Sequence, residues 1–374
     1  MWLIAVKTLL ADRGKLLTAL VGVVFSVVLV NVQGGLFLGL IRKVSLLVDY
    51  GNADIWVGHR HIHNVDFPDD IPERWVHRLR GVPGVQRAEP YLIGFSNMVL
   101  PDGGFEAVVV VGCEPSSLLG SAWQLGSGRI DDVLKPDGII VDEYDRAKLG
   151  NPRIGEVREI AGRRARIVAM SRGITGFLVA PYVFTTLERA AQYTGKPSDV
   201  CSYYLLQVDE GADVDAVCRE VRHRVPDLEV LPRRVYSRKS IDFWLTRTGL
   251  GISFGAATFL GLIVGLVVVA QTLYASVLDR LTEYAALKAL GADEMQIHRI
   301  LFIQASIMAI AGSLLGLVLV VAIQAGFASP RVPILIPWWL SLGSCALVLT
   351  ICLVSSLLPY ARIRKVDPLI VLQG

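Results

Sequence analysis

Residues Thr282–Ala292 read TEYAALKALGA, a short charged segment that lies between two long apolar stretches, Thr248–Leu278 and Ile300–Ala328. Its alanines and leucines favour a helix, and Gly291 is a residue type that commonly ends one. The segment is too short to form a domain and too regular to be only a turn. It therefore predicts that the chain crosses an apolar phase on both sides of a short helical loop.

Two more apolar runs flank this central pattern, and each of the four exceeds the roughly 20 residues needed to cross about 30 Å of hydrocarbon. The chain is 53% hydrophobic with a mean hydropathy of +0.50, and only 19% of its residues are charged. We therefore predict an α-helical membrane protein. The net charge of +3 is too small to suggest nucleic acid as a partner. The four predicted transmembrane helices are Leu16–Ile41, Thr248–Leu278, Ile300–Ala328 and Ile334–Ala361.

Basic residues indicate the orientation, because cytoplasmic loops carry an excess of Lys and Arg. They cluster before the first run, between the second and third, and after the fourth. Both termini and residues 279–299 are therefore predicted to be cytoplasmic, with residues 362–374 as a tail. Residues 1–15 fit either an interfacial amphipathic helix or an extension of the first span. The clusters are Lys7, Arg13 and Lys15; Arg280, Lys288 and Arg299; and Arg362, Arg364 and Lys365.

Residues 42–247 are then predicted to form a large extracytoplasmic α+β domain that ends in a stalk. Val85–Leu100 and Phe105–Gly112 predict two strands joined by a Pro-Asp-Gly-Gly turn. Tyr203–Val208, Val214–Arg224 and Leu228–Leu231 predict half of a split βαβ unit. The further predicted elements are Ala53–Val57, Pro72–Leu79, Gly138–Val141 and Arg164–Ala169.

The cysteines of this domain leave two possibilities open. Cys201 and Cys218 could form a disulfide in an oxidising compartment, or both could remain free, buried thiols.

Five local strings, together with the order of one span, a large domain and three spans, resemble one family. The chain is identified as a member of the MacB/FtsX superfamily of ABC transporter permeases (type VII), and it is most similar to DevC-type permeases. One departure is Thr282, where the family commonly has Arg, and Tyr284-Ala285 replace the usual Ile-Gly. The strings are DRGKLLTALVG (Asp12–Gly22), PYVFTTL (Pro181–Leu187), DFWLTRTG (Asp242–Gly249), EYAALKALGA (Glu283–Ala292) and PYARIRKVDPL (Pro359–Leu369).

The resemblance implies an exporter of the bacterial inner membrane that works by mechanotransmission. Its implied partners are an ABC ATPase dimer, a second permease copy, a periplasmic adaptor, an outer-membrane channel and membrane lipid. The implied cargo is lipid-like or amphiphilic. No GxxxxGK[ST] phosphate-binding motif occurs in this chain, so ATP and Mg are expected on the partner ATPase. We predict no catalytic residues and no cofactor on this chain.

The loop between the second and third spans is the predicted site of contact with the ATPase. Glu283 would lie near a helix start, where the helix dipole favours a carboxylate and a partner's basic side chain could donate to it. The leucines offer apolar contacts. The predicted coupling residues are Glu283, Tyr284, Leu287, Lys288, Leu290 and Gly291.

Glycine pairs spaced four residues apart allow close helix packing. Gly35 with Gly39, and Gly261 with Gly265, are predicted to form the seam between two permease copies. Polar residues within the spans, Asn31 among them, are predicted to bond between helices rather than to line a substrate path.

Three alternating histidines, His59, His61 and His63, would share one face if they lay on a strand, which makes them candidates for metal or haem. A polar loop is the simpler interpretation, and we predict no metal site. Two other functions remain open from the sequence. One is an FtsX-like regulator of a cell-wall hydrolase, and the other is a haem or metal exporter.

Overall fold

The computed structural model describes residues 6–7, 13–178, 180–279, 293–329 and 332–356. Contacts divide the chain into two compact units. One contains residues 1–39 and 252–374, and the other contains residues 40–251. The first holds the apolar helices and the second holds the mixed α+β domain, which confirms the predicted fold class.

Four helices among the described residues are long and apolar enough to cross a membrane. Helix α1 precedes the α+β domain, whereas the other three follow it. The helices are α1 (Arg13–Val44), α7 (Leu250–Asp279), α8 (Glu294–Phe327) and α9 (Trp338–Ser355).

Helix α9 begins four residues after the predicted start at Ile334. Pro337 occupies its N-cap with an extended backbone, and proline is suited to this end of a helix because it lacks an N–H. The preceding segment is extended, and the Leu335 N–H donates to the Gly35 carbonyl oxygen of α1 at 3.0 Å.

The α+β domain contains a ten-stranded mixed sheet in the order β12-β1-β11-β3-β4-β9-β6-β8-β5, with β7 paired to β3 and β8. A separate pair joins β2 and β10. The strands are β1 (Ile55–His59), β2 (Ile71–Pro72), β3 (Val85–Val99), β4 (Phe105–Cys113), β5 (Leu125–Ser127), β6 (Gly138–Asp142), β7 (Val157–Ile160), β8 (Arg163–Ser171), β9 (Tyr182–Thr186), β10 (Val200–Cys201), β11 (Tyr203–Val208) and β12 (Leu228–Pro232).

The predicted hairpin and the predicted split unit are both confirmed. Strands β3 and β4 pair antiparallel from Tyr91–Cys113 to Val99–Phe105. Strand β1 lies between β11 and β12 and pairs antiparallel with both, which is the arrangement that defines a split unit. The helices of the domain are α2 (Leu46–Tyr50), α3 (Val76–Arg80), α4 (Leu187–Thr194), α5 (Val214–Arg224) and α6 (Arg233–Thr246).

Three buried clusters fill the domain, and their branched and aromatic side chains come mostly from the alternating positions of the strands. Cys201 and Cys218 lie in one of these clusters as free thiols. Burial raises the pKa of Cys201 to about 12 and that of Cys218 to about 11, so both thiols stay protonated and unreactive at neutral pH.

Candidate functional site

The predicted coupling residues lie outside the described part of the structure. Glu283, Tyr284, Leu287, Lys288, Leu290 and Gly291 all fall within residues 280–292, which the structure does not describe. The predicted helix at residues 1–15 and the tail at residues 362–374 also fall largely or wholly outside it. Helices α7 and α8, which flank the loop in the sequence, are described, as is the stalk within the α+β domain. The stalk is the candidate site that the structure describes.

Helix α6, which we call the stalk helix, is anchored at its start in the core of the α+β domain. Pro232 occupies its N-cap, and the Arg233 N–H donates to the Asp54 carbonyl oxygen at 2.8 Å. One turn later Tyr236 is fully buried, with its hydroxyl oxygen 2.9 Å from the Asn64 carbonyl oxygen and 3.0 Å from the Tyr203 hydroxyl. This end of the helix is therefore fixed in the core of the α+β domain.

The next turn of the stalk helix adds two further contacts. Lys239 forms an ion pair with Glu229 of β12, and Ser240 is buried. Ion pairs at a partly exposed surface contribute little stability. We therefore attribute the anchoring mainly to Tyr236 and to Trp56, whose ring lies 5.6 Å from that of Tyr236.

The other end of the stalk helix lies in an aromatic cluster. The Trp244 ring is 4.4 Å from Phe177 and 6.1 Å from Phe67, and the neighbouring Phe243 stacks on His63 at 5.9 Å. Phe67 and His63 both belong to the loop between β1 and β2. Aromatic contacts of this kind add roughly 0.5–1.5 kcal/mol beyond burial, so this loop contributes to holding the end of the helix.

Asp66 lies in the same loop and is only 5% exposed. The indole N–H of Trp244 donates to its carboxylate at 3.3 Å. Burial raises the pKa of Asp66 from 3.8 to about 7, and the hydrogen bond from Trp244 opposes part of that rise. A carboxyl that titrates near neutral pH, bonded to the stalk helix, is a functional group that the sequence analysis missed. Its only signal in the sequence was an aspartate next to a phenylalanine.

Among the described residues of the membrane helices, Asn31 forms hydrogen bonds that join two helices. Asn31 of α1 is fully buried and donates to the Val27 carbonyl oxygen at 2.8 Å and to the Ser344 hydroxyl of α9 at 2.7 Å. It also accepts from the Ser341 hydroxyl at 3.1 Å. The predicted interhelical role of Asn31 is confirmed.

The four glycines predicted at a seam between copies make close contacts within one chain. A Cβ added to Gly261 would lie 1.6 Å from Leu29 of α1, and one added to Gly265 would lie 1.8 Å from the Ser26 hydroxyl. Added Cβ atoms at Gly35 and Gly39 would clash with Ile336 and Pro333, just before α9. Side chains and backbone of the same chain occupy these glycine faces. The seam between two copies stays a prediction, and any such seam has to use other surfaces.

The three candidate histidines do not share a strand face. Strand β1 ends at His59, and His61 lies in a turn with a left-handed backbone (φ 63°). His59 lies 3.5 Å from the exposed Asp69, whereas His63 stacks on the stalk helix. Among the described residues no group of three or more His, Cys, Asp or Glu side chains could hold a metal ion. The three histidines are therefore not brought together as a metal-ligand group.

Two family models match most of the chain. The MacB-like periplasmic core domain matches residues 16–224, and the FtsX-like permease C-terminal domain matches residues 255–368. An uncharacterized ABC transporter permease of Mycobacterium tuberculosis (strain H37Rv) is 25% identical over 363 residues, covering 93% of this chain and 91% of the relative. One of Methanocaldococcus jannaschii is 22% identical over 237 residues, covering 59% and 58%.

Two solved structures are similar to about half of this chain, with low TM-scores. The periplasmic region of MacB from Actinobacillus actinomycetemcomitans gives a TM-score of 0.39 at 11% identity and covers 50% of this chain and 92% of that one. The extracellular domain of the ABC-type transporter YknZ from Gram-positive bacteria gives 0.37 at 12% identity, covering 47% and 98%.

The first family match alone spans more than half of the chain. The second match follows it and covers the region of the last three apolar helices. The chain belongs to the MacB/FtsX type of ABC transporter permeases.

Proposed function

We propose that this permease works by mechanotransmission in an ATP-driven exporter of the bacterial inner membrane. An ABC transporter permease acts with an ATPase partner. In this proposal the ATPase dimer contacts Glu283–Gly291 from the cytoplasm. Its closure moves α7, and the stalk helix passes that movement to an extracytoplasmic α+β domain. Both termini are cytoplasmic in this arrangement.

The observation that carries the proposal is the double anchoring of the stalk helix. Tyr236 fixes one end of this helix in the domain core, and Trp244 holds the other end in an aromatic cluster. Only Arg247–Gly249 separate the helix from α7 in the sequence. A helix that is gripped at both ends transmits displacement better than a flexible linker does.

Two permease copies, a periplasmic adaptor and an outer-membrane channel complete the proposed assembly, with a lipid-like or amphiphilic cargo. The exposed face of α7 supports the second copy. Phe259, Leu260, Ile263 and Val264 are exposed on this helix, and Gln271 is an exposed amide on it. A second copy would cover this surface and give the amide a partner inside the membrane.

The charge-reversal variant Glu283→Arg tests the coupling role of the loop. We expect it to remove a carboxylate that accepts hydrogen bonds from the ATPase, so that the ATPase no longer co-purifies or is no longer stimulated by the permease. Asp293→Arg is the matched control, because Asp293 is exposed on the same connection and its side chain caps no helix N–H. Equal ATPase binding and stimulation in both variants would contradict the coupling role.

Mass spectrometry of the proteins that co-purify with the tagged chain separates the exporter from the regulator. An ATPase with an adaptor supports the exporter. An ATPase with a cell-wall hydrolase and no adaptor would assign the chain to the FtsX-like regulators.

A further inference from the structure

The loop between β1 and β2, residues 60–70, is built around two separate attachments. At its base Asn64 forms a turn, in which its side-chain oxygen accepts from the N–H groups of Asp66 and Phe67 at 3.0 and 2.9 Å. The carbonyl oxygens of Asn64 and Val65 accept from the Tyr203 hydroxyl, each at 3.2 Å. These contacts fix Asn64 and Val65 to strand β11, and the Asn64 carbonyl oxygen also lies 2.9 Å from the Tyr236 hydroxyl near the start of the stalk helix.

At its tip the same loop contacts the end of the stalk helix. Phe67 packs against Trp244, and His63 stacks on Phe243. Asp66 accepts the indole N–H of Trp244. Residues 63–67 of the loop thus place the buried carboxyl of Asp66 against the end of the stalk helix, which α7 follows in the sequence.

We propose that this loop is a proton-sensitive clasp, in which Asp66 holds the end of the stalk helix when protonated and loosens it when ionised.

The surroundings of Asp66 explain why ionisation would loosen the contact. No cation pairs with Asp66 among the residues that the structure describes. A buried carboxylate without a cation is costly, whereas a protonated carboxyl still accepts the indole N–H through its carbonyl oxygen. Ionisation therefore penalises the clasped arrangement but not a released one in which the carboxylate meets water.

Other titratable groups face Asp66 from every element packed around it. They include tyrosines from β9, β11 and the stalk helix, which lie close enough to be affected by its charge. Burial raises the pKa of each above its ordinary value of 10, so all three remain neutral across the range in which Asp66 titrates. The loop itself adds His63 and the exposed Asp69. The tyrosines are Tyr182, Tyr203 and Tyr236.

The direction of the effect follows from the two pKa values of Asp66. Its pKa is about 7 in the clasped arrangement and 3.8 when the group is exposed, so the clasped form binds the proton more tightly. Clasping is therefore strongest at low pH and weakens by up to roughly tenfold per pH unit between about pH 4 and 7, with little further change above that. The clasp loosens as the compartment around the domain becomes more alkaline.

The test is fluorine NMR of the full chain labelled with 5-fluorotryptophan in lipid nanodiscs. The Trp244 resonance is assigned by its absence in Trp244→Phe and followed from pH 5 to 8.5. We expect a titration step near pH 7 in the wild-type protein, and no step in Asp66→Asn, which keeps the acceptor but cannot ionise. Asp69→Asn is the matched control and should keep the step, because its side chain is 78% exposed on the same loop.

His63 stacks on Phe243 in the same cluster, so His63→Gln completes the test. The step should survive in this variant. A step that persists in Asp66→Asn, disappears in His63→Gln, or is absent from the wild-type protein would overturn the proposal. If Asp66→Asn fails to fold, the wild-type and His63→Gln titrations still decide the question.

A consequence for transport rests on the mechanotransmission proposed above. The ATP-dependent movement of the domain should differ between pH 6 and pH 8 in the wild-type transporter and should be the same at both in Asp66→Asn. A Trp244 titration without any effect on that movement would leave the clasp in place and contradict mechanotransmission instead.

Discussion

Two buried polar side chains, Asn31 and Asp66, differ in how fully their hydrogen-bonding groups are paired. Asn31 has partners for both its amide nitrogen and its oxygen, because Ser341 and Ser344 lie one turn apart on the facing helix. Asp66 has a single side-chain donor, Trp244, and burial raises its pKa. The first arrangement stabilises a fixed contact, and the second supplies a group whose charge can change near neutral pH.

Replacing Asn31 with alanine tests the first arrangement. We expect the free energy of unfolding in detergent to fall by about 1–2 kcal/mol, since the variant loses a hydrogen-bond donor and an acceptor between helices and leaves a small cavity. Thr350→Ala is the control, because Thr350 is exposed and bonds only the Ala346 carbonyl oxygen of its own helix at 2.9 Å. Unfolding titrations that give the same loss for both variants would rule out a special role for Asn31.

At the scale of elements, α7 packs on α1 through the faces of its glycines. Gly261 and Gly265 leave room for Leu29 and Ser26, and without a hydrophobic force between helices in lipid, such close packing is a main source of association. Most of the other side of α7 is exposed. One helix therefore has a tight face within the chain and a free apolar face.

Gly265→Ala and Gly255→Ala form a matched pair on this helix. An added Cβ at Gly265 would lie 1.8 Å from the Ser26 hydroxyl, whereas nothing lies within 4 Å of one at Gly255. We expect Gly265→Ala to lose about 1–3 kcal/mol of stability and Gly255→Ala to lose none. Thermal unfolding in detergent measures both variants.

The Ser26→Ala change should recover part of the loss at Gly265, because it removes the hydroxyl 1.8 Å from the added methyl group and leaves the Ser26 Cβ at 3.0 Å and the Gly22 carbonyl oxygen at 3.8 Å. Equal stability of the two glycine variants would show that the face of Gly265 is not packed.

The sequence predicted several strands whose own residues carry a clear pattern, including β1, although its partners β11 and β12 are distant in the chain. The hairpin of β3 and β4 was predictable because turn residues join adjacent strands. Strand β9 was not predicted. It pairs in parallel with β4, at Val109–Tyr182 and onwards. The polar loop preferred for the histidine string agrees with the structure, which places His61 in a left-handed turn after β1.

The candidate site was predictable in part. The string Asp242–Gly249, which resembles the family's stalk, overlaps the end of the stalk helix, whereas the predicted coupling loop lies outside the described residues. The clasp was not predictable, because Asp66 and Trp244 meet only after the sheet has brought residues 178 positions apart into contact.

At the scale of the whole molecule, we propose that the stalk helix transmits movement of α7 to the α+β domain. It depends on the stalk helix behaving as a stiff connection between α7 and the α+β domain. Inserting Gly-Ser-Gly after Arg247 would make the connection flexible without altering either unit. The same insertion after Gly103 is the control, since this hairpin turn is exposed and an added Cβ there meets nothing within 4 Å.

The most direct measurement is the distance between spin labels on the α+β domains of two permease copies, with and without ATP and vanadate. The label is placed at Glu210→Cys, an exposed turn position, in a Cys345→Ala background that leaves only buried cysteines. Mechanotransmission predicts an ATP-dependent change in distance in the wild-type complex and the Gly103 insertion, and none in the Arg247 insertion. The same change in the Arg247 insertion would contradict the account.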